Sequence, residues 1–231
     1  MKQISLSSFV LLILLVLILS CKSDDEETFI NDTTSFITIW KSNNIGETDD
    51  NQIIFPIYSD GDFSSMWEEV NNPENNGNAF GSDEIFITFQ TPGIYRVTIK
   101  DDNQHIRGFS FSEYDDNNKI ISIEQWGNIQ WEDLSNAFIN CQNLTYNAID
   151  TPDLSNVTDL SNMFKGATSF NGNIGNWNVS NVSNMEAMFD GATSFNQNLN
   201  NWNVANVNEC QAFALNSGLD QNNIPNFTNC E

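Results

Sequence analysis

Side chains able to do chemistry are few and scattered in this chain of 231 residues. There is one histidine, His105, with four cysteines and 31 acidic residues. A Ser-His-Asp or Cys-His nucleophile would have to use His105. That residue follows Asp101-Asp102-Asn103-Gln104, the text of a solvated turn. A zinc site needs several His or Cys ligands in one place, and Cys21, Cys141, Cys210 and Cys230 lie far apart in sequence. No glycine loop of the phosphate-cradling type occurs. Paired carboxylates can drive glycoside hydrolysis, but no pair stands out among so many. The expectation is a protein that is not an enzyme, with no catalytic residue, no metal-ligating set and no cofactor beyond a structural calcium. Oxygen ligands for such an ion occur at Asp49-Asp50-Asn51, Asp60-Gly61-Asp62 and Asp115-Asp116-Asn117-Asn118. None follows the twelve-residue helix–loop–helix calcium pattern, so these segments read first as solvated acidic turns.

The formal net charge is -23. A chain this acidic repels phosphate backbones and anionic lipid surfaces, which excludes nucleic acid as a partner. The beginning of the sequence sets the compartment. Lys2 is followed by an unbroken apolar run from Phe9 to Leu19. That run is shorter than the roughly 20 residues a membrane-spanning helix needs, and it fits the apolar segment of a secretory signal. Residues 1–20 therefore read as a signal peptide. Ile18-Leu19-Ser20-Cys21 resembles a bacterial lipobox, which implies lipidation of Cys21. Lys22-Ser23-Asp24-Asp25-Glu26-Glu27 resembles the acidic tether of Bacteroidetes-type lipoproteins, here residues 21–35 with the lipidated cysteine. The resemblance implies an outer-membrane lipoprotein exposed at the cell surface, touching the membrane through its lipid anchor alone. Cys141, Cys210 and Cys230 remain, so one disulfide is permitted outside the cytoplasm. At least one thiol is left free or paired between molecules.

From Ser155 the text repeats. Ser155 to Val179 reads SNVTDLSNMFKGATSFNGNIGNWNV, and Ser180 to Val204 reads SNVSNMEAMFDGATSFNQNLNNWNV, a period of 25 without a gap. A third copy starts at Ala205 and degrades toward the end. A divergent copy runs from about Asn128 to Leu154, with Trp131, Leu134, Phe138, Cys141 and Leu144 in the apolar register. A period of 20–29 lies in the leucine-rich-repeat range, each unit being one coil of a solenoid. The expected core is Val157, Leu160, Met163, Phe164, Phe170, Ile174 and Trp177 in one coil. Val182, Met185, Met188, Phe189, Phe195, Leu199 and Trp202 repeat it in the next. Gly166 and Gly191 stand where a turn needs positive φ or a close backbone approach. Asn156, Asn181 and Asn206 align, and their amides are placed to form a ladder along the turns. The variable pairs Lys165/Asp190, Gly172/Gln197 and Thr158/Ser183 read as the better contact candidates.

The MF-x-GATSFN-x-N and NWNVSNV blocks closely resemble those of BspA-like leucine-rich-repeat surface proteins. The likeness covers residues 120–231 and implies a short solenoid whose partner is a protein or a polysaccharide. The family usually carries aspartate where Asn178 and Asn203 stand here, which weakens any calcium argument at those positions. In this frame Cys210 occupies a core column and Cys230 the open end of the stack. A Cys210–Cys230 disulfide would pin the last coil as a cap, with a stabilisation of about 3 kcal/mol. Cys141 aligns with Ala167 and Ala192 and reads as a small buried residue.

Residues 36–119 carry no such period. Phe36–Trp40, Gln52–Tyr58, Glu84–Phe89 and Ile94–Ile99 read as strands. Asn43-Asn44, Asp60-Gly61, Asn75-Asn76-Gly77 and Pro92-Gly93 read as turns. Together they predict a small β-sandwich. Thr91 to Ile99 resembles the closing hairpin of PKD-like immunoglobulin-type domains, although the family's Trp-Gly-Asp-Gly turn is replaced by Trp67-Glu68-Glu69-Val70. The fold expected is mixed and β-rich: a PKD-like β-sandwich, then a short leucine-rich-repeat solenoid. The function expected is adhesion or macromolecular recognition through the repeats. The alternatives are a glycan-binding accessory of nutrient uptake and a structural envelope component without a free ligand.

Overall fold

Alternation of apolar and polar side chains builds the front of the molecule. In the computed structural model, which describes residues 32–230, the strands are β1 (Phe36–Lys41), β2 (Gln52–Phe55), β3 (Ile57–Ser59), β4 (Phe63–Glu69), β5 (Asn72–Gly81), β6 (Ile85–Thr88), β7 (Ile94–Lys100), β8 (Ile106–Phe109), β9 (Ile120–Gln125) and β10 (Thr145–Tyr146). The signal-peptide and Cys21 expectations lie outside the described residues. The protein is β-rich with mixed sheets; the only helices among the described residues are two 3-10 turns, Asp116–Asn118 and Gln221–Asn223.

Six strands form one sheet in the order β10-β9-β1-β7-β4-β5. Every neighbour pair in it is antiparallel except β10 with β9. The strands β2–β6 and β3–β8 form separate antiparallel pairs. Pro56 explains why Gln52–Tyr58 is two strands. Proline has no N–H to give a ladder, and the chain on either side of it pairs with different partners. Trp40 and Phe36 of the sheet meet Phe55 of β2 at 5.1 and 6.1 Å between ring centroids.

The Asn75-Asn76-Gly77 turn is a correction. These residues lie inside the ten-residue β5, paired with β4. Gly77 stands opposite Trp67, where an added Cβ would meet the indole at 2.6 Å. The glycine there makes room for a ring, and the chain reverses earlier, between Glu69 and Asn72.

Residues 155–219 contain almost no regular strand, yet the repeats stack in register. Leu160, Asn162, Phe164 and Gly166 donate N–H to the carbonyls of Asn184, Glu186, Met188 and Asp190, at 2.8–2.9 Å. Single parallel bridges join Asp159 to Asn184 and Asn184 to Glu209. A further bridge, Gly108 to Asp133, joins β8 to the first copy. An added Cβ at Gly108 would collide with the Asp133 carbonyl, so glycine is what lets this copy approach the strand.

The core is continuous through that junction. Phe36, Phe109, Phe138, Phe164 and Phe189 follow one another with ring centroids 5.6, 5.0, 5.5 and 5.7 Å apart. Thr33–Glu231 is one compact unit, and β9, at the start of the repeat-bearing residues, is a strand of the six-stranded sheet beside β1. Each coil turns through two left-handed residues four positions apart. These are Asn136 and Asn140, Asn162 and Gly166, Ala187 and Gly191, Ala212 and Asn216, with φ between +52° and +74°. Glycine and asparagine adopt this region at low cost, alanine less readily.

Candidate functional site

The reactive side chains occupy structural positions. His105 packs on Gly61, with its Nδ1 3.1 Å from the Asp62 carbonyl oxygen. Its backbone N–H and that of Ile106 donate to the two carboxylate oxygens of Asp101, at 2.8 and 2.9 Å. Cys141 is fully buried, and burial pushes its thiol pKa up, which keeps it protonated and unreactive. Cys210 and Cys230 form a disulfide, with Cα atoms 5.9 Å apart.

Two of the acidic turns converge on a lysine. The Lys119 ammonium is fully buried and donates to Thr48 O (2.9 Å), Thr48 Oγ1 (2.6 Å), Asp49 O (3.0 Å) and Gln52 O (2.9 Å). Asp116 Oδ1 lies 3.5 Å away. The Asp116 carboxylate, equally buried, accepts from Glu47 N, Thr48 N, Ile54 N and Thr48 Oγ1. The ammonium thus fills an oxygen cage of the kind that also suits a hard cation. The third turn is tied differently: Arg107 reaches Asp60 at 2.6 Å and Glu132 at 3.0 Å. The Arg107 hydrogen bond holds the Asp60 carboxyl below its ordinary pKa. Among the described residues, no group of three or more His, Cys, Asp or Glu is placed to hold a metal.

All fourteen repeat-core residues named from the periodicity are buried, Trp177 and Trp202 included. The Trp202 indole N–H donates to the Ile174 carbonyl one repeat earlier, at 3.0 Å. Asn181 and Asn206 bridge neighbouring coils, their amides donating to Ser155 O and Ser180 O at 2.7 Å. Asn229 continues the column to Ala205 O. A second amide column escaped the sequence reading. Asn171 Oδ1 accepts from Asn196 N, and Asn196 Oδ1 from Asp220 N, both at 3.0 Å. The repeated SFN text was its visible signal.

The variable pairs are less free than their variability suggests. Lys165 pairs with Asp190 at 3.5 Å. Ser183 Oγ donates to Thr158 O, and Gln197 Nε2 to both Asn171 O and Asn171 Oδ1. Concavities also lie along the repeat-bearing residues. One, of about 320 Å³, is lined by Tyr146, Asn147, Ile149, Asp150, Asn173 and Asn176. Another, of about 510 Å³, lies at the C-terminal end of the stack.

No curated protein and no solved structure matches this chain. A family model, described as "Mycoplasma protein of unknown function, DUF285", matches residues 109–229. The match opens at Phe109, the last residue of β8 and the second ring of the column that runs into the coils. It covers more than half of the sequence, and the chain belongs to the DUF285 family.

Proposed function

We propose that this protein is a non-catalytic recognition protein of the bacterial surface, held by a lipid on Cys21 and binding a macromolecule through its repeats. On this reading the repeats are a short BspA-like solenoid and the front strands a PKD-like sandwich that carries it. The observation that carries the proposal is the coil-to-coil register. Amide and hydroxyl side chains such as Asn181, Thr193 and Asn196 recur along a stack already held by backbone bonds. A regular row of uncharged hydrogen-bonding side chains of this kind suits extended partners, a protein or a polysaccharide, and loses little entropy on binding.

The test uses the soluble chain from Lys22 against immobilised matrix proteins and polysaccharides, with and without calcium, at two salt concentrations. Saturable binding that Thr158→Arg or Thr193→Arg weakens at least tenfold supports the reading. Binding indifferent to both substitutions overturns it, and silence across the panel favours a structural envelope component. Acyl labelling in the native host, lost in Cys21→Ser, tests the anchor separately.

A second reading, a glycan-binding accessory, draws on the concavity beside Tyr146. It joins a half-buried aromatic ring to the amides of Asn173 and Asn176. Polysaccharide binding lost in Tyr146→Ala and kept in Thr158→Arg would select it.

A further inference from the structure

The last described coil carries an unfinished ladder. In the coil before last, Met185, Ala187, Phe189 and Gly191 donate N–H to the carbonyls of Glu209, Gln211, Phe213 and Leu215, at 2.7–2.9 Å. The corresponding N–H groups of the last coil belong to Cys210, Ala212, Ala214 and Asn216. None of the four has a hydrogen-bond partner among the described residues. They repeat at every second residue and face the direction in which a next coil would lie.

The apolar column changes at the same place, where Phe213 and then Phe227 carry the ring contacts on from Phe189 at 5.3 and 5.0 Å. Phe164 and Phe189 stack in successive coils, and one period on the position is Ala214. The groove of about 510 Å³ opens there, with Ala212, Ala214, Leu215, Leu219, Ile224 and Phe227 in its walls. Leu215 is 54% exposed. The surroundings are one-signed: from Gly166 onward the sequence has no Lys, Arg or His, and the exposed Glu209 and Asp220 directly adjoin the lining residues Cys210, Leu219 and Gln221 in sequence.

We propose that this end of the stack captures an extended segment of a partner protein, apolar at its centre and flanked by Lys or Arg. The segment adds as one more parallel rung. Carbonyls at alternate residues accept from Cys210, Ala212, Ala214 and Asn216, and a large side chain fills the place above Ala214. Strand addition of this kind draws affinity from main-chain hydrogen bonds and specificity from alternate side chains. A free row of backbone donors beside an apolar groove is the template it needs. The site is separate from the lateral faces that carry the recognition proposal, so each surface can fail its own test without deciding the other.

The probe is a synthetic peptide copying residues 184–191, with glutamine and asparagine at its two acidic positions and two lysines at each end. Its control carries Asp at the positions of Met188 and Phe189. Both are added to the soluble chain from Lys22, which keeps the whole compact unit, and amide hydrogen exchange is read residue by residue by NMR. The expected result is at least tenfold slower exchange at Cys210, Ala212, Ala214 and Asn216 with the probe and no change with the control. The Ala214→Arg chain loses that slowing. If that variant fails to fold, Asp220→Lys serves instead, with binding weakened several-fold at low salt. Unchanged exchange at the four amides overturns the proposal. So does protection that appears without peptide and grows with the chain's own concentration, which would assign this end to a second copy.

Discussion

At the residue scale, charge and backbone conformation are managed one position at a time. Lys119 and Asp116 form a fully buried pair whose remaining polar atoms are bonded to the 47–54 segment. Removing one partner of such a pair leaves an uncompensated charge, at a typical cost of about 3–5 kcal/mol. Lys119→Met is therefore expected to lower stability by that order, read as the urea midpoint at unchanged slope. The alanines at left-handed positions give a prediction of opposite sign. Ala212 has φ of +55° and is exposed, while Asn136 and Asn162 hold the equivalent place in earlier coils. Ala212→Asn is expected to stabilise by on the order of 1 kcal/mol through relief of left-handed strain, seen as a rise in Tm. A drop in Tm would mean that the Ala212 methyl group packs better than its exposure implies.

At the element scale, the unit is one coil, and its stability comes from its neighbours. Phe189 touches rings on both sides and within its own coil, with Phe164 at 5.7 Å, Phe195 at 4.0 Å and Phe213 at 5.3 Å. Phe189→Ala is expected to cost about 3–5 kcal/mol, as large-to-small changes of buried aromatics do. Among the rings of the described residues Phe227 meets only Phe213, at 5.0 Å, and it is half-buried. Phe227→Ala should cost less, and equal losses at the two positions would deny that the stack supports its middle more than its end. Among the described residues no coil follows the last one, and the Cys210–Cys230 disulfide ties that coil to the stretch after Phe227.

At the scale of the whole molecule, sheet and coils share one core. The rings of Phe36, Phe109 and Phe138 lead from the six-stranded sheet into the repeats without an apolar gap. The β8 strand bonds to the first copy through Gly108 and Asp133. A shared core couples the unfolding of its parts. Urea unfolding is expected to give one midpoint whether followed by fluorescence of the front tryptophans Trp40 and Trp67 (Trp126, Trp131, Trp177 and Trp202 each replaced by phenylalanine) or of the other four (Trp40→Phe and Trp67→Phe in the background). Two separated transitions would show that the coils and the sheet are independently stable.

The repeats were legible in the sequence because a fixed period copies the same burial environment from coil to coil. Every core position read from Val157 to Trp202 is buried. The strand β7 was legible because its sequence alternates apolar and polar residues, and β1 because a short apolar run marks a strand buried over most of its length. The tertiary structure alone decided the rest. The strand β5 reads as turn text, and becomes a strand because β4 offers it a ladder and Gly77 leaves room for Trp67. Asp49 and Asp116 read as separate solvated turns, and only folding across some seventy residues brings them around Lys119. Likewise the sequence marks the last copy as degenerate, but not that four N–H groups there lack partners. Local pattern fixes which face of a segment is buried, whereas contacts distant along the chain decide which polar groups meet and which are left open.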